Sequence, residues 1–80
     1  MFQALTERRN VMKITNHVKR LRLAAGMTQA ELATRLGITT PSITKWERGR
    51  SNPDLINVFR MTEIFECSVN EIISQDSATA

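Results

Sequence analysis

Eighty residues with a single histidine, His17, and a single cysteine, Cys67, bound the chemistry early. A chain of this length builds one domain around a modest core, with no second cysteine for an internal disulfide, no Cys/His set for zinc, and no run near the ~18 apolar residues of a membrane span. Its net charge of +3 is unevenly spread: residues 8–50 carry ten Lys/Arg against Glu31 and Glu47, whereas residues 51–80 carry Arg60 against Asp54, Glu63, Glu66, Glu71 and Asp76. A basic half of this kind suits a polyanion, although many such faces are simply solvated. The amino-terminal MFQALTERRN lacks the charged-then-apolar order of a signal peptide, and with a lone thiol this gives the expectation of a cytoplasmic protein.

In chain order the pattern predicts an all-α fold, a compact bundle of five short helices, because alternating strand patterns and hairpin dipeptides are absent. Residues 1–12 read as an amino-terminal arm without an apolar stripe, and Met12 could serve as an alternative initiator. The helical domain is expected over residues 13–74. Its first helix covers about 16–25, capped by Asn16 and ended by Gly26, with Val18, Leu21 and Ala25 sharing a face. The second, 29–36, opens on the capping box of Thr28 and Glu31, turns Leu32, Ala33 and Leu36 inward, and ends at Gly37. The third covers about 40–48. Thr39 caps it, Pro41 is tolerated in the first turn, and Ile43 and Trp46 face inward. Asn52 as cap and Pro53 open the fourth, with Asp54 at the positive end of the helix dipole, and Leu55, Val58, Phe59, Thr62 and Phe65 make a broad apolar face. The fifth starts at the capping box of Ser68 and Glu71 and carries Val69, Ile72 and Ile73. Residues 75–80 are expected to be a disordered tail.

The informative stretch is QAELATRLGITTPSITKWER, residues 29–48. Two helices must cross steeply with few turn residues between them. Ala33 is small where they approach, Gly37 takes the positive φ of the turn, and Ile38 plugs the turn into the wedge of Leu32, Leu36, Ile43 and Trp46. The other side of the third helix then presents Thr40, Pro41, Thr44, Lys45 and Arg48, a short, polar, cationic face fit for a major groove. An ordinary αα-hairpin with a solvated face would carry the apolar set but has no need of this joint placement.

At this point the chain resembles the lambda-repressor/Cro-type helix-turn-helix domain, also called the XRE family. The residues that carry the likeness are VKRLRLAAGMTQAELATRLGITTPSITKWERGRSNP followed by DLINVFRMTEIFECSVNEII. The resemblance implies a five-helix, lambda-repressor-like DNA-binding domain that binds near-palindromic operators in double-stranded DNA, usually as a homodimer, as a transcriptional regulator and most plainly a repressor. It implies no cofactor and no metal. Carried over position by position, Gln29 matches a phosphate clamp and a brace for the third helix. Thr40, Pro41 and Lys45 match positions that reach base edges, with Lys45 suited to guanine acceptors and Pro41 limited to a thymine methyl. Thr39, Ser42 and Thr44 match phosphate or methyl contacts, and Arg48, Arg50 and Asn52 phosphate contacts. Arg22 and Glu47 match a partly buried structural ion pair.

Several residues have plainer roles. Trp46 belongs to the core rather than to a stacking platform, His17 to the surface, and Cys67 to the bundle. Arg8, Arg9 and Lys13 form either a solvated arm or a DNA contact beside the domain. No enzyme is expected: one histidine cannot supply a Ser/His/Asp set, and no phosphate-binding glycine loop or paired carboxylates stand out. The rival is a DNA-binding antitoxin or restriction-modification controller that also binds a protein partner. RNA is disfavoured because the phenylalanines lie outside the basic half. For the homodimer, Phe65, Val69, Ile72 and Ile73 exceed what one small core easily absorbs, so the twofold patch is expected on the fifth helix and the end of the fourth.

Overall fold

The computed structural model describes residues 11–78. Strand β1 (Val11–Asn16) leads into α1 (Val18–Ala24), α2 (Gln29–Leu36), α3 (Thr40–Glu47), α4 (Leu55–Phe65) and α5 (Val69–Ile72), from which β2 (Ile73–Ala78) follows directly. The five helices enclose Val18, Leu32, Ala33, Leu36, Ile43, Trp46, Val58, Met61 and Ile72. That core draws on every helix, so each helix folds by lending its apolar stripe to the others rather than by its own propensity.

The strands correct the all-α expectation. β1 and β2 pair antiparallel, in a register running from Val11 opposite Ala78 to Asn16 opposite Ile73. His17 N extends the link by donating to Ile72 O at 2.7 Å. The expected disordered tail is therefore a strand from Gln75 to Ala78, and residues 11 and 12 of the expected arm belong to β1. Backbone pairing explains this. The ladder satisfies main-chain donors and acceptors whatever the side chains, and its partner lies far along the sequence, so no local pattern announces it. The remainder of the arm, with Arg8 and Arg9, lies outside the described residues.

Helix ends follow their caps. Thr28 and Glu31 form the capping box: Thr28 N donates to Glu31 Oε1 at 2.8 Å, and Glu31 N donates to Thr28 Oγ1 at 3.0 Å. Asn16 accepts from Val18 N at 3.3 Å, although α1 itself begins after His17. α4 begins two residues later than Asn52–Pro53 suggests. Its cap is Asp54, whose Oδ1 accepts from Asn57 N and Nδ2, while Pro53 is buried beneath the turn. Glu66, at the carboxyl end of α4, holds φ +55°, a left-handed conformation that only glycine adopts without cost.

The apolar face expected on α4 is divided. Val58 and Met61 are fully buried, whereas Leu55 and Phe59 are exposed. Of the patch expected on α5, Ile72 is fully buried, whereas Phe65, Val69 and Ile73 are half-buried against the core, and Val69 and Ile73 also line an open groove with Ile14.

Relieving the strain at Glu66 should stabilise the protein. The left-handed penalty is about 1–2 kcal/mol for a residue with a Cβ, and glycine's extra chain entropy returns roughly half of it. Glu66→Gly is expected to raise the melting temperature by the equivalent of up to ~1 kcal/mol. A lowered melting temperature in calorimetry would show that the Glu66 side chain does more than tolerate its backbone.

Candidate nucleic-acid interface

The capping box sets Gln29 as the first residue of α2, and that placement decides the rest of the site. Gln29 points across to α3, where its Nε2 donates to Glu47 Oε1 at 2.9 Å and its Oε1 accepts from Thr44 Oγ1 at 3.0 Å. Glu47 in turn accepts from Arg22 of α1, whose Nε lies 2.6 Å from Oε2 and Nη2 3.0 Å from Oε1. Arg22 Nη1 donates to Met27 O at 2.8 Å, in the turn before α2. The side chains of the pair are 9% and 4% exposed, so the bridge is shielded from water and salt. Residues 44 and 47 share one face of α3, and both are held.

Burial works against ionisation of Glu47. The hydrogen bonds from Arg22 and Gln29, together with the charges of Arg22 and Lys19, outweigh it and hold the carboxyl below its ordinary value. Arg22 is raised, chiefly by its hydrogen bond to Glu47 and against its own burial.

With Glu47 and Thr44 held from behind, the adjoining side of α3 faces outward, and Thr44 stands at its edge. Thr40, Pro41, Thr44, Lys45 and Arg48 line one open groove with Arg50 from the following turn, and no acidic residue lines it. Lys45, Arg48, Arg50 and Pro41 are exposed, and Thr40 and Thr44 half-buried. Lys45 also borders a second groove with Ser42, Asn52 and the start of α4. Thr39 and Ser42 stay out of the first groove and share a hydrogen bond between their hydroxyls at 3.1 Å. Gln29 is half-buried, with both side-chain polar atoms engaged. The structure thus places it as a brace between helices.

Three residues, two of them already named in the sequence for other reasons, make contacts around the site that the sequence did not predict. Asn16 Nδ2 donates to Trp46 O at 3.0 Å and to Asn52 Oδ1 at 3.1 Å, tying the end of β1 to the turn that holds Arg48 and Arg50. Lys13 lines a groove with Arg48, Gly49 and Asn52, so this cation of the expected arm stands beside the site. Arg60 Nη1 donates to Leu36 O at 3.0 Å, capping the carboxyl end of α2. The sequence named Lys13 as a possible DNA contact and Asn16 only as a helix cap; the ties of Asn16 to Trp46 and Asn52, and of Arg60 to Leu36, depend on contacts made by folding.

Cys67 is half-buried, and burial raises its thiol, with Glu71 adding to the rise and Arg20 opposing it. Among the described residues no group of three or more His, Cys, Asp or Glu is placed to hold a metal ion, and no helix is long and apolar enough to cross a membrane.

A family model described as helix-turn-helix matches residues 18–72, from the start of α1 to the end of α5. The chain belongs to the helix-turn-helix family, in its lambda-repressor and Cro form. The family is one of transcription-regulator DNA-binding domains and is not an enzyme class. The chain is 33% identical over 61 residues to the cryptic phage CTXphi transcriptional repressor RstR of Vibrio cholerae, covering 76% of this chain and 54% of the repressor. It is 27% identical over 63 residues to the HTH-type transcriptional activator BcrR of Enterococcus faecalis, covering 79% of this chain and 31% of the activator. It therefore spans 54% of one relative and 31% of the other. Among solved structures, the P22 c2 repressor protein in complex with a synthetic operator shares the fold. The TM-score is 0.61 at 24% identity, over 66% of this chain and 80% of that one.

The Arg22–Glu47 bridge makes stability depend on pH in a definite direction. Glu47 is depressed when folded, so its contribution is complete above the ordinary carboxylate value of 4.5 and is lost as pH falls through the folded value. Glu47→Gln should lower the melting temperature at neutral pH and flatten its decline below about pH 4.5. Arg22→Ala, which strands a buried carboxylate, should cost about 3–5 kcal/mol. A melting temperature unchanged in either variant would show that the pair is not a structural bolt.

Proposed function

We propose that this chain is a transcriptional regulator domain that binds specific sites in double-stranded DNA, laying α3 in the major groove. The observation that carries this reading is the outward face of α3, where Thr40, Pro41, Thr44, Lys45, Arg48 and Arg50 line one acid-free groove. Its short polar and cationic side chains suit base edges flanked by phosphates. Lys45 and Thr40 reach the bases, and Pro41 packs on a thymine methyl. Arg48, Arg50 and Asn52 take backbone phosphates, with Thr39, Ser42 and Thr44 as further phosphate or methyl contacts. Gln29 holds α3 in place through its side chain and offers its position at the start of α2 to a phosphate.

One such helix reads only a few base pairs, too few to find one site in a genome. The working form is therefore a homodimer on a near-palindromic operator with half-sites about 34 Å apart. The repressor RstR supports repression as its output. The protein works in the cytoplasm without cofactor or metal. Its DNA-binding unit is the predicted domain of residues 13–74 with the strand pair closing its ends.

Selection of bound duplexes from a random pool, followed by titration against salt, tests this reading. An enriched inverted repeat and a steep loss of affinity with salt are expected, and neither would appear for a protein-only adaptor. Lys45→Ala should cost about 1–3 kcal/mol on the selected site and relax preference at one base position. Arg50→Ala should weaken selected and random duplexes alike and lower the salt slope by about 1. Equal losses for Lys45→Ala on both duplexes would remove it from the base-reading set.

A further inference from the structure

The strand pair lies outside the family domain. The family match spans residues 18–72, and β1 and β2 flank it on either side. The strands pair with one another, and their inner end is tied through Asn16 to the turn after α3. There Lys13, Thr15 and Asn16 of β1 line one groove with Arg48, Gly49 and Asn52. Arg48 also lines the groove of the α3 face, and Asn52 the groove that Lys45 borders, so the three openings share their walls.

We infer that the β1–β2 ribbon is a second DNA-contacting element, in which Lys13 and the Asn52 amide take a backbone phosphate beside those held by Arg48 and Arg50. The inference rests on the DNA-binding reading above and extends it to a part of the chain outside the family domain. Three observations select a phosphate as the occupant. Lys13 and Arg48 put two exposed cations at one groove. Asn52 Oδ1 accepts from Asn16 Nδ2 at 3.1 Å, so the half of the Asn52 amide left for a ligand is the Nδ2 donor, which a phosphate oxygen can accept. Finally, the carboxylate lining the groove, Glu47, is nearly buried and neutralised by Arg22.

The root of the ribbon is fixed where a cation is useful. Asn16 Nδ2 donates to Trp46 O at 3.0 Å, and His17 N donates to Ile72 O at 2.7 Å. Lys13 lies three residues before Asn16, about 10 Å along an extended strand, so its long side chain stands beside the turn of Arg48 rather than over it. Asp76 is opposite Lys13 in the register. An exposed cross-strand pair is weak, and a polyanion that releases its counterions displaces it. The phosphate contact carries no base information. It adds affinity and helps to fix the register of α3 along the duplex.

Titration of the full chain against salt, on the selected duplex and on a random one, tests this. Lys13→Ala, checked for unchanged melting, should lose roughly three- to tenfold on both duplexes, lower the salt slope by about 1 and leave base preference as it is. Lys13→Arg should restore affinity and slope. Arg20→Ala removes an equal charge near Cys67, at the turn between α4 and α5, and should leave the slope unchanged. Neutralising single phosphates as methylphosphonates locates the contact. One position should weaken the wild type and have no effect on Lys13→Ala, and it should neighbour the position to which Arg48→Ala becomes indifferent. If Lys13→Ala keeps the affinity and slope of the wild type, or if every phosphate matters to it as to the wild type, the ribbon is no DNA contact while the DNA reading stands. A wild type that binds no duplex at all ends the DNA reading and this inference with it.

Discussion

The bridge between Arg22 and Glu47 fixes how α3 is turned about its own axis. The apolar wedge of Leu32, Leu36, Ile43 and Trp46 brings α2 and α3 together, but hydrophobic contact has no direction. A helix turns by about 100° per residue, so a slip of one position would take Lys45 or Thr44 to a different side of the molecule. Glu47 forbids the slip because it accepts from Arg22 and Gln29, which lie on two other helices. A rotated α3 would leave a nearly buried carboxylate and a nearly buried guanidinium without partners, at a cost well above the loss of any one apolar contact. Thr44, one turn back on the same side, repeats the constraint through Gln29. The outward face of α3 is thus defined by what is fastened behind it.

The same bridge shapes the electrostatics. Residues 8–50 contain only two acids, Glu31 and Glu47. Glu31 is committed to the amide of Thr28 at the positive end of α2, and Glu47 to Arg22. Neither lines the groove of Lys45, Arg48 and Arg50, so no carboxylate stands among those cations there. Buried ion pairs often add little net stability over well-packed apolar residues. Here the pair does something an apolar substitute could not: the directed hydrogen bonds that Glu47 accepts from Arg22 and Gln29 fix the rotation of α3, while Arg22 neutralises the carboxylate they need.

The parts of this arrangement that rest on local rules were legible in the sequence. The capping box at Thr28 and Glu31, the left-handed Gly37 and the inward Ile43 and Trp46 each need only a few neighbouring residues to be recognised. The strands were not legible, because β1 and β2 meet only after the helices have brought the chain ends together. The start of α4 was misjudged because Asn52, Pro53 and Asp54 are all acceptable openers, and burial of Pro53 decided for Asp54. Leu55 and Phe59 read as core because the helical period permits it. Only the position of α4 against its neighbours shows that Val58 and Met61 take the buried stripe. For the site itself, the residues of the α3 face could be named from their spacing, while the double engagement of Gln29 and the reach of Asn16 are properties of the assembled fold.

Asn16 shows why the chain ends matter to the site. It is the last residue of β1, and its single amide reaches both the final turn of α3, at Trp46 O, and the loop beyond it, at Asn52 Oδ1. That loop holds Arg48 and Arg50 between Glu47 and Asp54 without secondary structure of its own, and loops of this kind are mobile unless tied down. Here the tie comes from a strand whose own position depends on β2, which in turn extends the helix that closes the core at Ile72. The cations after α3 are therefore placed by two independent restraints, the Arg22–Glu47 bolt on the helix side and the β1–β2 pair on the other. A two-stranded ribbon is marginal alone. It persists here because it is anchored at both inner ends, through His17 to Ile72 and through Asn16 to Trp46, and that anchorage lets a pair of short strands position the loop that carries Arg48 and Arg50.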